Sequence, residues 1–127
     1  MSRLVFDAGA LLALEHNDRV LWAALKLAAL AQDPVLVPTT ALAQIWRATR
    51  TQARLSQALA HCELTAFDPL AKAVGELCGR TRTRDICDAH VALVAARQGD
   101  VLYTSDPKDM RRLLTAAGRR RPNIVIC

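Results

Sequence analysis

Aromatic side chains are scarce, with Phe, Trp and Tyr together making up 4% of the 127 residues. That leaves little material for the stacked aromatic platforms on which most single-strand nucleic-acid binders rely. The four cysteines, Cys62, Cys78, Cys87 and Cys127, contain no C-x-x-C pair and share no repeated spacing. His16, His61 and His90 are equally scattered, so a zinc site is not expected. Isolated thiols suit a reducing cytosol. The start carries one arginine and three apolar residues before Asp7, far short of a secretion-signal core. The longest apolar run, Val20 to Ala31, is interrupted by Lys26 and is too short to span a bilayer. A cytoplasmic protein with no membrane partner is the expectation. No repeat, low-complexity segment or linker divides the chain.

What is present is one domain's worth of sequence. With 52% hydrophobic and 23% charged residues it is globular, and a single domain over residues 1–127 is expected. The formal net charge is +5, and the excess is uneven: from Arg80 to Arg121 there are ten Lys or Arg (Arg80, Arg82, Arg84, Arg97, Lys108, Arg111, Arg112, Arg119, Arg120, Arg121) against five Asp. Such a bias suits a polyanion, although a solvated basic surface would look the same.

Short apolar runs alternate with helical stretches. Strands are expected at Leu4–Phe6, Val35–Val37, Leu64–Phe67, Val101–Tyr103 and Ile124–Ile126. Helices are expected through Ala10–Glu15, Asp18–Ala31, Ala41 to about Ala60 with a break near Thr51, from Asp68-Pro69 onward, Arg84 or Asp85 to Gln98, and Pro107–Ala117. Thr39 or Thr40 would cap the third of these, and Gly99 would end the fifth. The pattern predicts an α/β fold with a parallel sheet covered on both faces.

In such sheets, sites lie at the carboxyl ends of the strands. Asp7 directly follows the first strand, and Asp106 follows the fourth by two residues. Asp85 and Asp88 share a face at the start of the helix leading to that fourth strand. Of only twelve acidic residues, five (Asp7, Asp85, Asp88, Asp106, Asp109) can therefore converge on one edge. Each alone reads as a helix cap; Asp106 before Pro107, with Asp109 in the first turn, is a good one. Together they would repel one another and raise each other's pKa unless a cation neutralised them. A hard ion such as Mg²⁺, or Mn²⁺ in its place, is the natural partner. Ions of this kind generate hydroxide near neutral pH and stabilise phosphoryl oxygens, which in a basic protein points to phosphodiester hydrolysis.

Four stretches, "VFDAGALLALE", "VPTTALAQIWR", "TRDICDAHVALVAA" and "VLYTSDPKDMRRLL", in this order and spacing, resemble the PIN-domain ribonucleases, and within them the VapC-type toxins of toxin–antitoxin pairs. The resemblance covers almost the whole length. It implies a PIN-like three-layer fold with a five-stranded parallel sheet and Mg²⁺-dependent endoribonuclease activity on a structured RNA, tRNA or rRNA. It also implies a homodimer and a cognate VapB-type antitoxin. It places metal-binding and catalytic roles on Asp7, Asp88 and Asp106, with Asp109 assisting.

The chain departs from the family at Gln44, where the family usually has Glu. Gln keeps an acceptor oxygen but brings no charge, which leaves open whether one or two ions bind. Asp85 is the candidate for the missing charge, or merely a cap. His90, two residues past Asp88, points away from the acids and is read as structural. Trp46 is assigned to core or interface, and the Val20–Ala31 helix to a buried position or to a dimer or antitoxin groove. Two other readings compete: a catalytically weak PIN module that binds RNA or antitoxin without efficient cleavage, and a phospho-aspartyl domain with Asp7 as nucleophile. The second wants another acid beside Asp7, where Ala8 and Gly9 stand.

Overall fold

The strands form at short runs, and the two central to the first half of the chain are completely buried. In the computed structural model, which describes residues 2–118 and 121–127, Leu4–Phe6 make β1 with all three side chains buried. Arg119 and Arg120, two of the ten basic residues above, lie outside the described residues together with Met1. Val35–Pro38 make β2, Glu63–Thr65 β3, Val101–Thr104 β4 and Asn123–Ile126 β5. The helices are α1 (Ala8–Glu15), α2 (Arg19–Ala31), α3 (Thr39–Ile45), α4 (Ala53–Leu59), α5 (Ala71–Thr81), α6 (Ile86–Ala95) and α7 (Pro107–Ala117). No helix among the described residues is long and apolar enough to cross a membrane.

The sheet has five strands in the order β3-β2-β1-β4-β5, and every pairing is parallel. The chain steps outward from β1 to β3, then returns past β1 to β4 and β5. Right-handed crossovers put α1 to α4 on one face and α5 to α7 on the other. The packing largely agrees: α1 lies against α3 and α4, and α5, α6 and α7 pack on one another, while α3 also reaches across to α6. This is the PIN-like three-layer α/β architecture that the resemblance implies. The strand order reverses between β1 and β4, so a crevice opens at their carboxyl ends, the usual ligand position in such sheets.

Several boundaries differ from the sequence reading, each for a local reason. The long third helix is interrupted over residues 46–52, so the expected break near Thr51 is present, begins earlier and includes a 3₁₀ turn at Arg50–Gln52. Gln52 explains the break. Its Oε1 accepts from the backbone N–H of Arg47 (2.8 Å) and Ala48 (3.0 Å), and its Nε2 donates to Ile45 O and Glu15 Oε1 (2.8 Å each). One buried side chain thus satisfies the backbone groups that a helix end orphans. Pro38, not Thr39 or Thr40, precedes α3, with no side-chain cap. Asp68-Pro69 opens a short 3₁₀ turn, Asp68–Leu70, instead of α5 itself, again without a side-chain cap. Helix α6 stops at Ala95, not Gln98. Arg97 N–H bonds Ala95 O (2.7 Å) and Asp100 N–H bonds Arg97 O (3.3 Å), and Gly99 serves this tight turn at φ 91°. The third strand is Glu63–Thr65, which frees Phe67 to pack edge-on against His90 with ring centroids 5.3 Å apart.

Candidate metal centre

Asp7 leaves β1 at the point where α1 begins. Its Oδ1 accepts from Ala10 N–H (2.9 Å), so it is an N-cap, yet it is also buried at 4% exposure. Burial raises its pKa; hydrogen bonds from the Thr104 hydroxyl and from the Ala10, Ser105 and Gly9 backbone pull the other way. Thr104, the fully buried last residue of β4, also accepts from Asp106 N–H (2.9 Å). One hydroxyl therefore joins the two strand ends that border the crevice. The same closeness explains Gly9: a Cβ there would lie 2.1 Å from Ser105 Oγ and 2.5 Å from Ser105 Cβ. The first turn of α1 fits against the β4–α7 connection only without a side chain.

Asp106 caps α7 through a longer bond to Asp109 N–H (3.3 Å). Asp85 caps α6 by accepting from Asp88 N–H at 2.9 Å. Both capping readings therefore hold, but they do not exhaust the arrangement. Asp88, Asp106 and Asp109 each offer a carboxylate oxygen, and these oxygens lie within 4.8 Å of one another. Half-buried Asp88 has its pKa pushed up to about 7, first by burial, then by the hydrogen bond and charge of Asp85, then by the charges of Asp7 and Asp106. The fold thus brings Asp7, Asp85 and Asp106 around Asp88, with Asp109 completing the three-carboxylate group. Among the described residues no Lys or Arg forms an ion pair with any of the five. A set made only of carboxylates, crowded and without a built-in cation, fits a hard divalent ion.

The remaining positions divide. Gln44 is exposed on α3 and, among the described residues, hydrogen-bonds none of the five acids. His90 is fully buried, with Nδ1 2.7 Å from Thr40 Oγ1, which agrees with the structural reading. Its Nε2 has no well-formed hydrogen bond. Burial lowers its pKa, and the Ala66 backbone acts weakly against that. Cys87, beside Asp88, has its thiol pushed up by burial and by three neighbouring aspartates, which keeps it protonated and unreactive. Trp46 is 38% exposed, and α2 buries Leu21, Leu25 and Ala28 while exposing Val20, Leu27 and Leu30. Sequence reasoning missed Thr104, although a threonine two residues before an aspartate is a known local hydrogen-bonding pattern.

The architecture is a PIN-like fold. In the same fold, a chain of the solved structure of VapBC2 from Rickettsia felis, bound to a DNA fragment from their promoter, is similar over 98% of each chain with a TM-score of 0.68 and 15% identity. No family model and no curated protein matches the sequence.

Proposed function

We propose that this chain is a Mg²⁺-dependent endoribonuclease, with Mn²⁺ as a substitute ion, acting as the toxin of a VapBC-type pair. The observation that carries the reading is the uncompensated group Asp88, Asp106 and Asp109 with buried Asp7 beside it, at the switch point of a PIN-like sheet. The likeness to VapBC2 and the basic charge of +5 support a toxin acting on RNA.

Asp7, Asp88, Asp106 and Asp109 would hold the ion. When bound, it supplies positive charge and Lewis acidity towards water and phosphate oxygens. Thr104 fixes the Asp7 carboxylate and the start of α7 at once, so the ligands are oriented before substrate arrives. Asp85 orients the start of α6, and therefore Asp88, while adding negative charge. Gln44 offers an amide that can position a water or a ribose hydroxyl but cannot take up a proton. A structured tRNA or rRNA cut in an exposed loop suits a protein with few aromatics. The exposed Val20, Leu27 and Leu30 on α2 offer an apolar surface for a second copy of the chain or for a VapB-type antitoxin.

Incubating the purified protein with total RNA and sequencing the new ends tests the reading. Cleavage should require Mg²⁺ or Mn²⁺ and stop in EDTA. Asp7→Asn should slow it by at least ~10²-fold, the scale of losing one electrostatic stabiliser. Undiminished cutting in EDTA would overturn the mechanism. Tight RNA binding without cutting under any metal would favour the weak-module reading, for which uncharged Gln44 is the supporting observation.

A further inference from the structure

The stretch Arg80-Thr81-Arg82-Thr83-Arg84 joins α5 to α6 and runs straight into Asp85 and Asp88. Its alternation is built into the structure. The threonines turn inward: Thr81 Oγ1 donates to Leu77 O (2.9 Å), and Thr83 Oγ1 accepts from Asp85 N–H (3.2 Å). The three arginines are exposed, and among the described residues none makes an ion pair, although acids lie a few residues away. The turn is also closed and anchored. Thr83 N–H bonds Cys78 O (3.1 Å), and Ile86 N–H bonds Arg84 O (3.0 Å). Arg112 reaches from α7 to donate its Nη1 to Thr81 O (2.9 Å). Arg112 stands three residues beyond Asp109, one turn along the same helix. This bond ties the arginine turn to the helix that Asp106 caps and that carries Asp109. At the apex Arg82 sits in the left-handed region at φ 54°, where glycine would be less strained. The chain keeps a long cation at a position whose backbone favours no side chain.

We infer that Arg80, Arg82 and Arg84 form a phosphate clamp that seats the RNA backbone beside the carboxylate group, with Arg112 as the positioning residue that fixes the clamp relative to α7. This rests on the ribonuclease reading for its substrate. Segregation of the signs is what makes it work: the acids gather the ion inward, while the arginines face outward toward the neighbouring phosphates.

The test uses the full chain and a fluorescein-labelled RNA hairpin with a single-stranded loop. Binding is read by anisotropy in EDTA over a range of salt concentrations, so that no cleavage intrudes. Three lost phosphate contacts should flatten the slope of log affinity against log salt by about 2, at ~0.7 per contact for single strands. The Arg80→Gln/Arg82→Gly/Arg84→Gln variant should show this and bind at least ~10-fold more weakly at low salt. Arg19→Gln/Lys26→Gln/Arg54→Gln removes the same charge elsewhere and should change the slope by less than half as much. Arg82→Gly alone should melt no lower than wild type yet flatten the slope by ~0.7, which separates the clamp from a folding defect. With Mg²⁺, the triple variant should raise KM more than it lowers kcat. Equal effects from the two triple variants, an unchanged slope, or no hairpin binding by the wild type would each overturn the clamp. Clamp-dependent binding with no cleavage in Mg²⁺ would keep the clamp and sink the ribonuclease reading. Normal cleavage kinetics in the clamp variant would do the reverse.

Discussion

The two ends of the sheet handle buried negative charge in opposite ways. At the amino end, Asp100 is 3% exposed just before β4, and the chain supplies its cation: Arg3 Nε donates to both carboxylate oxygens (3.2 and 3.1 Å) while Nη2 also reaches Val94 O (3.0 Å). At the carboxyl end, Asp7 is equally buried at 4% and its charge acts on Asp88, which groups with exposed Asp106 and with Asp109, and among the described residues no arginine or lysine pairs with any of them. Buried charge without a partner is costly, and folds rarely keep it for stability. The amino end is therefore finished by folding alone, whereas the carboxyl end leaves its carboxylates unpaired among the described residues, as the proposed ion would require.

The largest expected effect comes from making the first end resemble the second. Arg3→Met leaves Asp100 buried without its partner and should cost about 3 kcal/mol in urea unfolding, with no recovery in Mg²⁺. A loss under about 1 kcal/mol would mean that the amino end does not depend on the pair.

A smaller effect should appear on relieving the crowded end. Asp88 has a folded pKa raised from 3.8 to about 7, so the folded state keeps a proton that the unfolded chain gives up at lower pH. Its favourable contribution is complete at low pH and lost as pH rises from about 4 through about 7. In EDTA, wild-type melting temperature should fall across that window. Asp88→Asn should give a flatter profile and melt a few degrees higher at pH 8. Parallel profiles for the two proteins would show that the carboxylates do not strain the fold.

The smallest effect concerns Gln44. Placing a carboxylate there, Gln44→Glu, should lower by a few-fold the Mg²⁺ concentration needed for half-maximal RNA cleavage. An unchanged titration would put Gln44 outside the ion's surroundings.

Much of this contrast was legible in sequence. Strands β1, β2, β4 and β5 announce themselves as short apolar runs, and Asp7 follows one directly and Asp106 another within two residues, so the edge they share could be read from order alone. The parallel-sheet rule supplied the rest of that geometry. What could not be read depended on contacts distant along the chain. Gln52 looks like any surface glutamine until its amide is found holding the backbone of residues 45 to 48 and Glu15. Gly9 looks like a turn residue, but the need for it comes from Ser105, which is 96 positions away by number and in contact in space. Asp85 and Asp106 were each posed as cap or ligand; local hydrogen bonds make both caps, and the proximity of other carboxylates makes the second role compatible with the first.

Asp106 reports most directly on whether a cation completes the carboxyl end. Asp18 is the control, because it caps α2 by accepting from Val20 and Leu21 N–H (2.9 and 3.1 Å) and, among the described residues, belongs to no carboxylate group. Asn and Asp are nearly equivalent as caps, so Asp18→Asn and Asp106→Asn should both fold with little loss in EDTA. Thermal melts are then repeated in saturating Mg²⁺. Wild type and Asp18→Asn should gain stability, about 2.7 kcal/mol with the ion at 100 times its dissociation constant, and Asp106→Asn should lose most of that gain. An equal Mg²⁺ shift in all three proteins, or none in wild type, would contradict the account and leave Asp106 as a residue that only begins a helix.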